Sequence, residues 1–293
     1  MSERRWSTVT LWAVGGLAII AAIIVGQLLS NHATKPKKDR SHSITPSEIT
    51  AGWKLVFNST FDRGTLDSSI WRPGWFGADV TAHVNKNEPA CYSSKNVTFP
   101  GDGTVHLALT ATPISCLGVH EPYTGALVST NPADGRQAGG FQFRYGLLQA
   151  RIYVPGVHGK IVNWVSIMTL GQHWPEDGED DVFETLFGFP CYSIHSSAHP
   201  IRGLYGCDRH VAPGWHTVAV DWAPGYMAWY YDDVNVGIEH MGVTSSPMYI
   251  AIVNTVSNRA LTHASPAEVR VRYVRVWQPA GAQAGTDGYM YSY

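Results

Sequence analysis

Four carboxylates fall within six residues, Glu179, Asp180, Asp181 and Glu184, between an aromatic stretch around Trp174 and an apolar one at Leu186 and Phe187. Like charges packed together disfavour a strand, so their concentration beside Val182 and Phe183 needs a chemical reason. Side chains of a strand alternate between its faces, which sets Glu179 and Asp181 on one side. Strict alternation sends Glu184 to the other. One inserted residue, a β-bulge around Phe183, brings it back, and bulges re-aim side chains beside active sites. The two glutamate Cα atoms then stand roughly 13 Å apart, four effective residues at about 3.3 Å each, with Asp181 midway. Leaning side chains shorten that gap toward the roughly 5 to 5.5 Å at which one carboxylate attacks an anomeric carbon and another serves as acid and base.

In that chemistry Glu179 is the ionised nucleophile and forms a glycosyl ester, while Glu184 starts protonated and assists the leaving oxygen. Mutual repulsion in a carboxylate cluster raises at least one proton affinity, so a single shared proton at neutral pH is reasonable. Glu184 then acts as base toward water, which gives hydrolysis, or toward a sugar hydroxyl, which gives transglycosylation.

The elements that must hold these groups read as sheet. Short alternating or apolar runs recur at Lys54 to Phe57, Val105 to Thr110, Gly146 to Val154, Val162 to Thr169, His216 to Trp222, Met227 to Tyr231, Met248 to Val253 and Val269 to Trp277, punctuated by Gly, Pro, Asn and Asp. No long helical period and no repeat interrupts them. The expected fold class is all-β, two curved antiparallel sheets packed face to face as a sandwich. His195 and His199 fall on one further alternating stretch, Tyr192 to His199, facing the same side.

The 293 residues carry only 15% charged side chains, a net charge of −2 and 12% aromatics with eleven tryptophans. Nucleic-acid binders carry basic stripes, and none stands here. Flat amphipathic rings suit sugar faces, and Trp75, Trp164 and Trp174 are the candidates nearest the acidic cluster. The expected partner is a polysaccharide, and a monomer is expected. The chemistry requires no cofactor, and no oxygen-ligand loop such as an EF-hand marks a metal site.

Before this domain, residues 1–10 form a short basic N-terminus and residues 11–29 an apolar stretch long enough to span a hydrocarbon core about 30 Å thick. A cleavage site is poor, which favours an uncleaved signal anchor over a secretory peptide, with secretion the alternative. Residues 30–50 read as a polar linker, 51–279 as the catalytic domain and 280–293 as a tail. Cys91, Cys116, Cys191 and Cys207 all follow the apolar stretch in no zinc-binding spacing. An even count suits an oxidising compartment, and pairing by nearness joins Cys91 with Cys116 and Cys191 with Cys207, among three connectivities. The catalytic domain is thus expected outside the cell membrane.

From about Gly52 to Gln278 the chain resembles glycoside hydrolase family 16, the concanavalin A-like jelly rolls that include laminarinases, lichenases, agarases and carrageenases. The resemblance is carried by Trp53-Lys54-Leu55-Val56-Phe57 with Phe61-Asp62 and Trp71, by Asn87-Glu88, and by Phe143-Arg144-Tyr145-Gly146. It continues through Trp174-Pro175, through Gly178-Glu179 with Asp181 and Glu184 in bulged spacing, and through Val271 to Trp277. It implies Glu179 as nucleophile, Asp181 as assisting carboxylate, Glu184 as acid/base, Asn87 as a sugar-contacting residue and His199 as a cleft residue. A structural calcium on the convex face is common in the family. The chain departs from laminarinases at Leu127, where they carry arginine, and at Val162-Asn163-Trp164-Val165-Ser166, where they carry a tryptophan-proline pair and a second tryptophan. It departs again at Asp180, where an aliphatic residue is usual. A buried carboxylate is costly, so Asp180 must find a polar partner or keep its proton. A β-linked glucan or galactan is the implied substrate for a retaining endo-glycosidase. A surface transglycosylase and a lectin-like binding module are the alternatives.

Overall fold

Along Gly146–Val154 every second side chain is apolar, and Leu148, Ala150, Ile152 and Val154 are buried while Gln149, Arg151 and Tyr153 are turned outward. That period of two, repeated from strand to strand, builds the fold. The computed structural model describes residues 45–75, 78–133, 139–198, 206–258 and 266–280, with the backbone of 283–284 and 291–292. The apolar stretch 11–29 and His199 lie outside the described residues. No described helix is long and apolar enough to cross a membrane.

The longer strands are β1 (Lys54–Thr60), β2 (Ala90–Ser93), β3 (Val105–Leu109), β4 (Tyr123–Ser129), β5 (Gly146–Val154), β6 (Trp164–Leu170), β7 (Glu179–Glu184), β8 (Cys191–His195), β9 (Gly214–Ala223), β10 (Tyr226–Tyr231), β11 (Val234–Glu239), β12 (Met248–Thr255) and β13 (Ala267–Gln278). One sheet runs β11-β10-β9-β5-β13-β3, with β1 also on β13; the other runs β8-β7-β6-β12-β4-β2. Each of the eight runs read from the sequence is a strand. Among the described strands the pairing is antiparallel as expected with one exception: β2 lies parallel to β4, Cys91 opposite Thr124.

Between the sheets Leu107, Phe143, Leu148, Ile152, Ile167, Phe183, Trp222, Trp229 and Ile252 form one buried cluster. Each such side chain contributes about 1.5 to 3 kcal/mol by leaving water. Asn254 ties the layers as well, its Nδ2 donating to the Leu107 carbonyl at 2.8 Å. Cys91 is bonded to Cys116 and Cys191 to Cys207. The second bond fastens β8 to the edge strand Gly206–Cys207.

Two boundaries differ from the expected ones. A short helix, Pro46–Ile49, has Pro46 buried, and Ile49 packs with Trp53 against Leu147 and Tyr230. Described structure packed on the domain therefore begins before residue 51, with this helix. Within the expected tail, Gln283–Ala284 pairs with Tyr291–Ser292.

Candidate active site

Register across the second sheet lays out the site. Tyr249, Leu170, Glu179 and His195 are successive cross-strand partners; the next row is Ser129, Ala251, Met168, Asp181 and Ser193, and the next Leu127, Val253, Ser166, Glu184 and Cys191. Between Asp181 and Glu184 the ladder slips by one residue: Ile167 faces Phe183, Met168 faces Asp181, and Val182 is the extra residue. Val182 and Phe183 both point into the core. Glu184 thereby shares a face with Glu179 and Asp181, and all three line a groove of about 820 Å³. The Tyr231 hydroxyl lies 3.1 Å from the Val182 carbonyl and 3.1 Å from that of Cys191, so an oxygen at the bulge has a partner inside the sandwich.

The turn before β7 aims an indole at Glu179. Asp177 accepts from the His173 amide at 3.0 Å and from the Ser246 hydroxyl at 2.9 Å, and Thr244 donates to its carbonyl at 2.8 Å. Gly178, at φ +89°, is forced: a Cβ there would lie 2.7 Å from Thr244 Oγ1. Held this way, Trp174 donates from Nε1 to Glu179 Oε2 at 2.6 Å while remaining 59% exposed. Trp164 donates from Nε1 to Glu184 Oε1 at 2.9 Å. Each glutamate thus keeps an indole donor, a partner that orients a carboxylate without adding charge.

Asp181 is buried between them. Its Oδ2 accepts from Ser193 Oγ at 2.5 Å and lies 3.1 Å from His195 Nε2. Burial opposes a charge on His195, but the hydrogen bond to Asp181 and the charges of Asp181, Glu179 and Glu184 outweigh it and push the imidazole up to about 9. His195 is therefore a cation at neutral pH, paired with Asp181. Burial, then the Asp181 charge, pushes Glu179 up to about 7 and Glu184 to about 8. Both shifts point the same way, and such a pair retains one proton near neutrality.

Asp180 points away from the groove into the sandwich. It is 1% exposed, and Trp229 Nε1 donates to its Oδ1 at 2.8 Å while Oδ2 has no partner. Burial drives its affinity for a proton well above the ordinary carboxylate range. The polar partner expected of it is present, and burial favours the retained proton.

The other residues singled out from sequence divide. Trp164, Trp174 and Trp75 line the groove. Trp75, 7% exposed, is floor rather than platform, packed with Tyr92, Leu127, Met168, Ala251 and Val253. Asn87 is not among the lining residues; its amide donates to Asn85 Oδ1 at 3.0 Å within its own loop, and the groove side of that loop is Asn85, Lys86 and Glu88. His195 stands beside Asp181 rather than on the groove lining. Sequence reasoning missed Ser193, whose contact follows from cross-strand register, and Tyr249, whose hydroxyl is pushed up to about 12 by burial and then by Glu179. No group of metal-ligand side chains occurs among the described residues.

Comparison with known proteins gives the same architecture. No family model matches the chain. A β-glucanase of Rhodothermus marinus is 25% identical over 205 residues, 64% of this chain, and the chain spans 65% of that relative's length. The endo-β-1,3-glucanase of Pyrococcus furiosus superposes with a TM-score of 0.63 at 21% identity, covering 77% of this chain and 94% of that one. SCLam, a non-specific endo-β-1,3(4)-glucanase from family GH16, superposes with a TM-score of 0.65 at 20% identity, covering 78% and 92%. The likeness to glycoside hydrolase family 16 read in the motifs is borne out, and the fold is that of these glucanases.

Proposed function

We propose that the protein is a retaining endo-glycosidase that hydrolyses a β-linked polysaccharide, a β-glucan before a galactan. The observation that carries this reading is the extra residue at Val182, which returns Glu184 to the groove beside Glu179 and Asp181. An acidic solvated strand has no use for it.

In the mechanism, Glu179, oriented by Trp174, attacks the anomeric carbon, and Glu184, oriented by Trp164, gives its proton to the departing oxygen. Loss of that proton leaves Glu184 as the base that draws a proton from water, and the hydroxide formed releases the sugar from the Glu179 ester. His195, a cation hydrogen-bonded to Asp181 beside the reacting glutamate, offsets part of the repulsion among the carboxyls of the groove. Trp174, exposed at the groove mouth, is the surface on which a sugar ring can stack. The glucanase relatives favour glucan. The departures at Leu127 and Val162 to Ser166 remove a guanidinium and an indole that laminarinases use, which is why linkage is part of the test.

Two disulfides suit an oxidising compartment, and the apolar stretch 11–29 supplies a membrane anchor, so the catalytic domain acts outside the cell. The test is release of reducing ends from a panel of β-glucans and galactans, with the product anomer followed by NMR. Hydrolysis with retained configuration is expected, and Glu179→Gln should abolish it. Cleavage that survives Glu179→Gln, or inverted product, sinks the assignment.

A further inference from the structure

Beyond the reacting glutamates the groove contains buried polar atoms that the proposed chemistry does not use. Ser166 and Thr255 are each 2% exposed and line it, as does the edge of Trp75. Ser166 Oγ and Trp75 Nε1 have no hydrogen-bond partner within the protein. Glu88, 3% exposed, lines the same wall and accepts from the Tyr92 hydroxyl at Oε1. Burial pushes Glu88 up to about 8, so it stands neutral and can donate as well as accept.

These groups are contiguous with the reacting centre. Ser166 is the cross-strand partner of Glu184, and Thr255 that of Trp164, whose indole holds Glu184. Thr255 in turn is within side-chain hydrogen-bonding reach of Glu88, which offsets part of the effect of burial on that carboxyl and ties it to the same wall. Buried donors and acceptors in a native fold are almost always paired, so a cluster of unpaired ones on a groove wall marks a place where a ligand supplies the partners. Around them Tyr92, Leu127, Met168 and Val253 make the wall apolar.

The charge pattern narrows the ligand. Glu88, Glu179, Asp181 and Glu184 line the groove, and Lys86, exposed at its rim, is the one cation among the described lining residues. A uronate or sulfate ester entering here would meet carboxyl groups with no buried guanidinium or ammonium to pair with.

We propose that Glu88, Ser166, Thr255 and the Trp75 indole form a subsite that pairs with the hydroxyl edge of an uncharged sugar unit beside the reacting one, so that the polysaccharide taken is neutral. This rests on the glycosidase reading of the groove. Hydroxyl-bearing edges satisfy the buried atoms, and a hydroxyl missing from that edge leaves them unpaired, a contrast that discriminates strongly between sugars.

Binding and cleavage test it separately. The Glu179→Gln protein holds a polymer without turning it over, and its affinity is measured by gel retardation in neutral β-glucans and galactans and in a carboxymethylated form of each. Binding of at least one neutral polymer, tenfold or more tighter than its carboxymethylated form, is expected. Adding Glu88→Gln or Ser166→Ala, both small changes whose folding is checked by thermal unfolding, should weaken the neutral polymer by about tenfold and narrow the preference. Unchanged affinity in both variants, a preference for the charged polymer, or no binding of any neutral polymer overturns the subsite. If the preference holds and responds to the substitutions while the wild type releases no reducing ends, the subsite stands and the glycosidase reading falls.

Discussion

Replacing His195 with glutamine should move the whole pH profile toward alkali. The imidazole is a cation below about pH 9, and it is the direct cross-strand neighbour of Glu179. Cross-strand partners hold their Cβ atoms about 4.5 to 5.5 Å apart, which sets the two charges roughly 6 Å from each other. At that distance, in an effective dielectric of about 20, one unit charge is worth about 2.8 kcal/mol, or about two pK units. Water entering around the amide reduces this, so a shift of about one to two units is expected. The sign follows from the cation: its field lowers the proton affinity of Glu179 and Glu184, so its loss raises both. The active form of the pair holds one proton, and both limbs of the bell therefore move upward together. Glutamine retains an amide that can donate to Asp181, and Ser193 remains at 2.5 Å, which limits the change to charge. The assay is kcat/KM against pH from 4 to 10, since that ratio reports the free enzyme's groups. An activity loss of about 10- to 100-fold on the acid side with a small change at the new optimum is expected. Superimposable profiles for wild type and His195→Gln would refute the account of His195 as the charge that tunes the glutamates.

Glu184→Gln should cost about 10²- to 10⁴-fold in polysaccharide hydrolysis, the usual worth of a general acid. The loss should be much smaller for the first step on an aryl glycoside whose phenol leaves without a proton, and a burst of phenol measured by stopped flow checks this. Asp180→Asn should flatten the pH dependence of stability. The folded protein keeps a proton on Asp180 that the unfolded chain releases above its ordinary carboxylate value, so stability falls with rising pH by about 1.4 kcal/mol per unit for this group until it too ionises. The amide has no proton to lose and keeps an oxygen for Trp229 Nε1. Urea unfolding at pH 5 and pH 8 should show the variant gaining on the wild type at the higher pH, and equal slopes would count against a neutral Asp180.

The parts of this site that were legible in the sequence are those set by local geometry. Period two in Gly146–Val154 and in Met248–Thr255 identifies strands because each buries one face, and the bulge follows from Glu179, Asp181 and Glu184 needing one side when strict alternation denies it. What was not legible depends on which strand lies beside which. Ser193 meets Asp181, and Ser166 meets Glu184, through register between strands that chain order does not specify. Asn87 carried a resemblance to a sugar-contacting residue, but its amide is spent on Asn85 and the groove side of the loop belongs to Glu88. The parallel pairing of β2 with β4 was equally hidden, since each strand alone has the same pattern in either direction.

Asp180 shows how the same six residues serve two environments. The strand that aims Glu179 and Asp181 at the groove must aim the residue between them into the sandwich, where an aliphatic side chain would do. A carboxyl there is tolerated because Trp229 offers an indole N–H, and its neutrality is enforced by the neighbours it would otherwise oppose: burial, then Asp181 and Glu179, all favour its proton. An ionised Asp180 would add one more negative charge beside Glu179 and raise its proton affinity further, leaving less of it in the ionised form that the proposed attack requires. The core therefore protects the chemistry by withholding a charge, and the groove, where His195 supplies one, completes the balance.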